Sequence, residues 1–257
     1  MTGKERKPMW EIREQADPAL LELYIYGDVE GDDYDWWTGA KIESETSANH
    51  FRAELAKHPE AKQINIYINS YGGSVFEGTA IYNQLKRHPA HKTVYIDGFA
   101  CSVASVIAMA GDEVVMPRNA LMMIHNMWMV ACGNAAELRK AADDLEIINE
   151  AGRAAYLAKS GGKVSAETLA EMMNDEMWLK ADACIELGFA DRYADADADM
   201  SSAADVLEKA QLDAKQRKRS SDSLAACLRE LKAPEEVKPE PIKEEAKSNI
   251  LSLFKNF

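Results

Sequence analysis

The chain has few cysteines, no long apolar run and too little positive charge to form a basic surface. Its four cysteines, Cys101, Cys132, Cys184 and Cys227, form no CxxC pair and no cluster with histidine, which excludes a thiolate metal site of the usual spacing. Reduced thiols in a cytoplasmic compartment are the expectation. The two longest apolar stretches, 98–111 and 120–132, fall short of the ~20 residues a bilayer span needs. The first ten residues, MTGKERKPMW, are charged and lack the apolar centre of a signal peptide. With 30 basic against 43 acidic side chains the net charge is -13. That balance argues against nucleic acid and against anionic membranes as partners, and for a soluble protein.

What is present fits one large domain with a tail: 257 residues, 47% of them hydrophobic. Residues 22–27 (ELYIYG) and 63–68 (QINIYI) alternate as half-buried strands do, and 93–97 (TVYID) reads as a third. Shorter strands are expected at 113–117 and 121–125. Between them lie helical segments. One covers 47–58. A second runs to about 87 from a capping box made by Ser74 and Glu77. A third begins near Ser102, after a strand ended by Gly98. A long helix over 134–159 is capped by Asn134 and Glu137 and stopped by Gly161 and Gly162, with an apolar stripe more continuous than one domain face requires. Short helices follow Ser165 and cover 180–187. Strands alternating with helices imply an α/β fold.

The acidic aromatic stretch 31–40, GDDYDWWTGA, reads as a loop pinned by Trp36 and Trp37. Composition shifts near 195: ADADADMSSAAD is a low-complexity linker, 204–232 suits a charged helix, and 233–247 holds three of the eight prolines among alternating charges. The last ten residues, SNILSLFKNF, are either a docking peptide or a frayed end. The organisation is therefore an N-terminal segment (1–19), a domain (20–192) and a charged tail (193–257), disordered or helical.

Four features carry chemistry. In GFACSVASVIAMAG, Ser102 sits at a strand-to-helix turn, where a hydroxyl is either an exposed nucleophile beside the partial positive charge of a helix start or merely the N-cap. Ser105, one turn on, faces packing. In NSYGGS the paired glycines either bring backbone N–H groups close to a ligand, as an oxyanion hole does, or make a tight turn. His125 ends an apolar strand, unlike His50, His58, His88 and His91 in polar surroundings; it is a general base or a structural histidine. In NDEMWLKADACIELGFAD the acids Asp175 and Glu176 are either part of a site or solvated charges.

Taken in order, INIYINSYGGSVFEGTAIYN, DGFACSVASVIAMAGDEVVMP, ALMMIHNMW and EMWLKADACIELGFAD resemble the Clp protease proteolytic subunit, a family of serine peptidases. The resemblance covers roughly residues 20–192 and is nearest to the phage branch of head maturation proteases. It implies the ββα spiral shared with crotonases. It implies a nucleophile at Ser102, a general base at His125, and an oxyanion hole formed by the N–H groups of Gly73 and Val103. The third triad position falls on Glu176, with Asp175 as the fallback, where the housekeeping enzymes carry aspartate. Tyr71 departs from the usual proline before the glycine pair, and the tail beyond 192 is an addition. The resemblance implies an ATP-independent endopeptidase with no metal or cofactor. It implies capsid and scaffold proteins as substrates, self-association into a ring, and a place in the host cytoplasm or the assembling prohead. A catalytically dead scaffold component, a crotonase-like coenzyme A thioester enzyme, and a Ser-Lys dyad using Lys140 are the alternatives.

Overall fold

The computed structural model describes residues 10–14 and 19–197, with side chains from 19 onward. The elements in chain order are β1 (Trp10–Glu14), β2 (Leu20–Val29), β3 (Asp33–Tyr34), β4 (Lys41–Ile42), α1 (Ala48–Leu55), β5 (Gln63–Gly73), α2 (Val75–Arg87), β6 (His91–Cys101), α3 (Val103–Ala108), β7 (Glu113–Met116), β8 (Leu121–Ile124), α4 (Ala135–Ser160), α5 (Ala166–Asn174), β9 (Met177–Lys180), α6 (Ala181–Leu187) and β10 (Arg192–Tyr193). The expected helix at 204–232, the proline-rich stretch and the terminal SNILSLFKNF lie outside the described residues.

The expected α/β class holds, with a mainly parallel sheet ordered β1-β2-β5-β6-β7-β10. Only the β1–β2 and β8–β9 ladders of that sheet are antiparallel. Alternation builds the core: Leu21, Leu23 and Ile25 of β2, Ile64, Ile66 and Ile68 of β5, and Val94 and Ile96 of β6 are all buried on one face. Burying each such side chain contributes about 1.5–3 kcal/mol. Helices α2 and α3 close on one another through Gly78, where a Cβ would stand 2.2 Å from the Val103 side chain.

The central strand β6 forks. Its first half pairs with β7 (Thr93–Glu113 to Tyr95–Val115) and its last three residues pair with β8 (Phe99–Leu121 to Cys101–Met123). Gly98 therefore does not end the strand, as its sequence position suggested. A Cβ there would stand 2.8 Å from Asn69 Oδ1, so glycine lets the strand continue past that buried side chain. The fork delivers the end of β6 to the end of β8.

Three other expectations change. Glu77 does not complete a capping box. Ser74 accepts the Glu77 N–H, but the Glu77 carboxylate accepts the Ala48 N–H at 2.6 Å and so caps α1 instead. Trp36 and Trp37 pin nothing among the described residues; they are 87% and 79% exposed. The stretch they occupy is a small hairpin, β3–β4. By contrast the Asn134–Glu137 box forms in full, and α4 ends on Gly161 in the left-handed region at φ 61°.

Candidate active site

Ser102 follows β6 directly and precedes α3. Its φ of 54° and ψ of -130° lie where a non-glycine residue is strained, at a cost of about 1–3 kcal/mol. The surroundings hold it there. The Ser102 N–H donates to Met123 O at 2.8 Å, and every residue of α3 is buried. The side chain makes no capping bond, so the N-cap alternative is not realised. Instead Ser102 Oγ and His125 Nε2 lie 2.7 Å apart.

His125 is the first residue after β8 and is buried. The next two residues are clamped: Asn126 N–H donates to Met173 O at 3.1 Å, and Met127 N–H to the buried Asn149 side chain at 2.8 Å. The segment after His125 is thus positioned by the end of α5 on one side and the middle of α4 on the other. Neither anchor carries a sequence signal, because each acts across more than twenty residues of chain.

Asp175 and Glu176 form the turn between α5 and β9. The antiparallel β8–β9 ladder ends where Ile124 pairs with Met177; His125 follows the one strand and Glu176 precedes the other, its N–H donating to Met173 O at 3.3 Å. Asp175 is the C-cap of α5, its N–H donating to Glu171 O at 3.1 Å. Among the described residues, the non-glycine residues at positive φ are Ser102 and Glu176, at 54° and 50°.

The glycine pair lies against the serine. Gly72 has φ 108°, and a Cβ on it would stand 2.7 Å from Ser102 Cβ and 2.8 Å from Cys101 O. Gly73 has φ 144°, and its Cβ would stand 2.2 Å from Val29 O. Only glycine fits either position. Ser70 fixes the pair: its Oγ donates to Gly27 O at 2.5 Å and accepts the Gly72 N–H at 3.1 Å. Val103 opens α3, and the first amides of a helix have no acceptor within it. Tyr71, in the place of the family's proline, packs with Phe99, Cys101 and Met123 on the sheet face away from the main core.

Ser105 is fully buried, its hydroxyl 2.7 Å from Tyr156 Oη and donating to Ser102 O, in keeping with a packing role. Burial pushes the Cys101 thiol far above its ordinary range, so the residue before the serine is inert. Lys140 is exposed in α4 and paired with Asp144 at 2.6 Å. No metal-binding group of His, Cys, Asp or Glu occurs among the described residues, and no described helix is long and apolar enough to cross a membrane.

A family model described as Clp protease matches residues 38–197. The chain is 31% identical over 140 residues to the ATP-dependent Clp protease proteolytic subunit 3 of Rhodococcus jostii, covering 54% of this chain and 68% of the relative. It is 30% identical over 157 residues to proteolytic subunit 1 of Streptomyces avermitilis, covering 59% and 71%. With the proteolytic subunit of Porphyromonas gingivalis it shares 29% over 160 residues, covering 60% and 70%. The matched span contains the serine, the histidine, both acids and the glycine pair, and on that span this chain belongs to the Clp protease family.

Proposed function

We propose that the protein is a serine endopeptidase in which Ser102 is the nucleophile, His125 the general base and Glu176 the carboxylate that orients the imidazole. The observation that carries this reading is the 2.7 Å contact between Ser102 Oγ and His125 Nε2 at a strained strand-to-helix turn. His125 Nε2 takes the hydroxyl proton as Oγ attacks a peptide carbonyl carbon. The Gly73 and Val103 N–H groups receive the negative charge that develops on the carbonyl oxygen. The imidazolium then protonates the leaving amine, and water hydrolyses the acyl-enzyme by the same route in reverse. Hydrolysis by these groups consumes no ATP. The test is Ser102→Ala against Ser105→Ala on a casein or peptide substrate. The first abolishes turnover, since loss of a triad serine costs on the order of 10⁶ in rate, and the second leaves most of it. An active Ser102→Ala enzyme refutes the reading.

The same reading includes self-association into a ring. The sheet face away from the main core is aromatic and half-buried: Tyr24, Tyr67 and Tyr95 stack across three strands with centroids 4.7 and 5.1 Å apart. Trp128, Met129 and Val130 are exposed just after His125, and Leu138 and Ile147 are exposed on α4. Exposed apolar surface on this scale marks protein contacts. Light scattering of a 1–195 fragment tests this; a fully active monomer contradicts it. Cleavage of scaffold and capsid proteins in an assembling phage head is the finer assignment, supported by the resemblance and by the charged extension beyond the matched span. Deleting 193–257 then spares peptidase activity on small substrates and removes the enzyme from purified proheads. Equal incorporation of the full and truncated chains opposes it.

A further inference from the structure

The hairpin over residues 31–45 has an ordered turn, a concentrated charge and exposed aromatic rings. Its turn is closed by the Asp35 N–H donating to Ala40 O and the Gly39 N–H donating to Asp35 O, both at 2.8 Å. The Asp35 carboxylate accepts the N–H groups of Trp37 and Thr38 at 3.0 and 2.7 Å. Its base is braced by Asp32, which accepts the Ser44 N–H at 3.0 Å and pairs with Lys41 at 3.0 Å. Hydrogen bonds to backbone and side-chain donors hold both carboxyls below the usual carboxylate range, so they stay ionised.

This polar scaffold presents Tyr34, Trp36 and Trp37, with the two indoles edge to face at 5.2 Å. The segment that carries them, residues 30–45, also holds Glu30, Asp32, Asp33, Asp35, Glu43 and Glu45, against one lysine, Lys41. Electron-rich indole faces among carboxylates suit Lys and Arg side chains, which bind the ring as cations and the acids as ion pairs. The same hairpin of a second copy is disfavoured as occupant, since it would bring the same carboxylates against these.

The hairpin also stands in a telling place. It begins two residues after Val29, which is the ladder partner of Gly73 and accepts the Ser74 N–H at 2.7 Å. The base of the hairpin thus adjoins the strand pair that carries the candidate oxyanion glycine.

We propose that the β3–β4 hairpin is a docking arm for basic polypeptide segments of protein substrates, with Trp36 and Trp37 taking Lys or Arg side chains. Its purpose rests on the peptidase reading; the binding does not. The test uses the full chain carrying Ser102→Ala, so that nothing is digested. A fluorescein-labelled Lys/Arg-rich dodecapeptide is titrated by polarisation, with a Glu-rich and an uncharged peptide of equal length as controls. The basic peptide binds selectively, added salt weakens it, and Trp36→Ala/Trp37→Ala weakens it by about ten-fold or more. Asp33→Asn weakens it less. Circular dichroism of the double variant stays that of the parent, since the rings support no described core. Equal affinity in parent and double variant overturns the proposal, as does equal binding of the Glu-rich peptide. Loss of self-association with unchanged peptide affinity also overturns it, in favour of a second copy. In the Ser102 enzyme, the double variant raises KM for a basic protein relative to that for a short uncharged peptide. If no form of the enzyme cleaves anything, the peptidase reading fails while the binding result stands.

Discussion

Gly72→Ala isolates the packing of the glycine pair on the serine. The added Cβ would stand 2.7 Å from Ser102 Cβ, 2.8 Å from Cys101 O and 3.3 Å from Ser102 Oγ. Ordinary carbon contacts begin near 3.4 Å, so something must give by roughly 0.7 Å. The serine backbone cannot retreat, because its N–H is tied to Met123 O and α3 behind it is buried. The strain therefore falls on the Ser102 side chain and on the turn that carries Gly73. A shift of that size, directed away from His125, stretches the 2.7 Å contact to about 3.4 Å, a long and weakened hydrogen bond. Misplacement near 1 Å costs on the order of 10² in rate. The positive φ of 108° adds a stability cost of about 1–3 kcal/mol.

Gly161→Ala separates these two effects. Gly161 also has positive φ, 61°, yet nothing lies within 4 Å of its Cβ position. That substitution costs stability through the backbone alone, about 1 kcal/mol, which lowers Tm and spares kcat. The assay is kcat/KM on a chromogenic peptide, the rate of labelling by a fluorophosphonate, and Tm by calorimetry. Gly72→Ala loses about 10² in both rates. Gly72→Ala activity within threefold of the parent, or an equal loss in Gly161→Ala, refutes the reasoning.

Glu176→Gln lowers kcat by up to about 10⁴, the scale seen when a triad carboxylate becomes an amide, whereas Asp175→Asn stays within threefold; the reverse order moves the acid to Asp175. Ser105→Ala keeps most activity but loses about 1–3 kcal/mol of stability in thermal or urea unfolding, because the buried Tyr156 hydroxyl loses its partner at 2.7 Å; an unchanged midpoint contradicts this. Iodoacetamide at pH 8 modifies Cys132, the exposed thiol of the three described, and spares Cys101 and Cys184. The Cys184 thiol is pushed up to about 12 by burial, which leaves on the order of one thiolate in 10⁴ at that pH; peptide mass mapping that finds Cys184 modified in the native protein refutes this.

The core strands were legible because a parallel strand with one face on the core writes a period of two into its own residues. Leu21, Leu23 and Ile25, or Ile64, Ile66 and Ile68, show it directly. Where an element exists only through its partner, no such pattern appears. Strand β9 is four residues long and is a strand because β8 runs beside it. Glu77 follows Ser74 at the spacing of a capping box, yet Ala48 offers its carboxylate a better donor, at 2.6 Å. Local spacing cannot rank a partner 29 residues away. Trp36 and Trp37 failed for a related reason. Reading an indole as an anchor presumes that some surface covers it, and the described residues provide none.

The site divides along the same line. Motifs singled out Ser102, His125 and the glycine pair, and the resemblance put the acid on Glu176 with Asp175 as the fallback. What a string of neighbours cannot show is that the two acids sit differently: Asp175 caps α5, while Glu176 takes φ 50° one residue before β9. More telling is the backbone. Glycine announces a positive φ in sequence, as Gly72 and Gly73 do, because its side chain is missing. Ser102 and Glu176 occupy positive φ without that announcement. Each pays a strain that only its surroundings offset: the Met123 carbonyl and the buried α3 for the serine, the Met173 carbonyl at the α5 terminus for the glutamate. A serine that caps a helix has negative φ and extended ψ, and its hydroxyl accepts from the second or third helical amide. At φ 54° and ψ -130° Ser102 makes no such bond, and its hydroxyl stands 2.7 Å from His125 Nε2 instead.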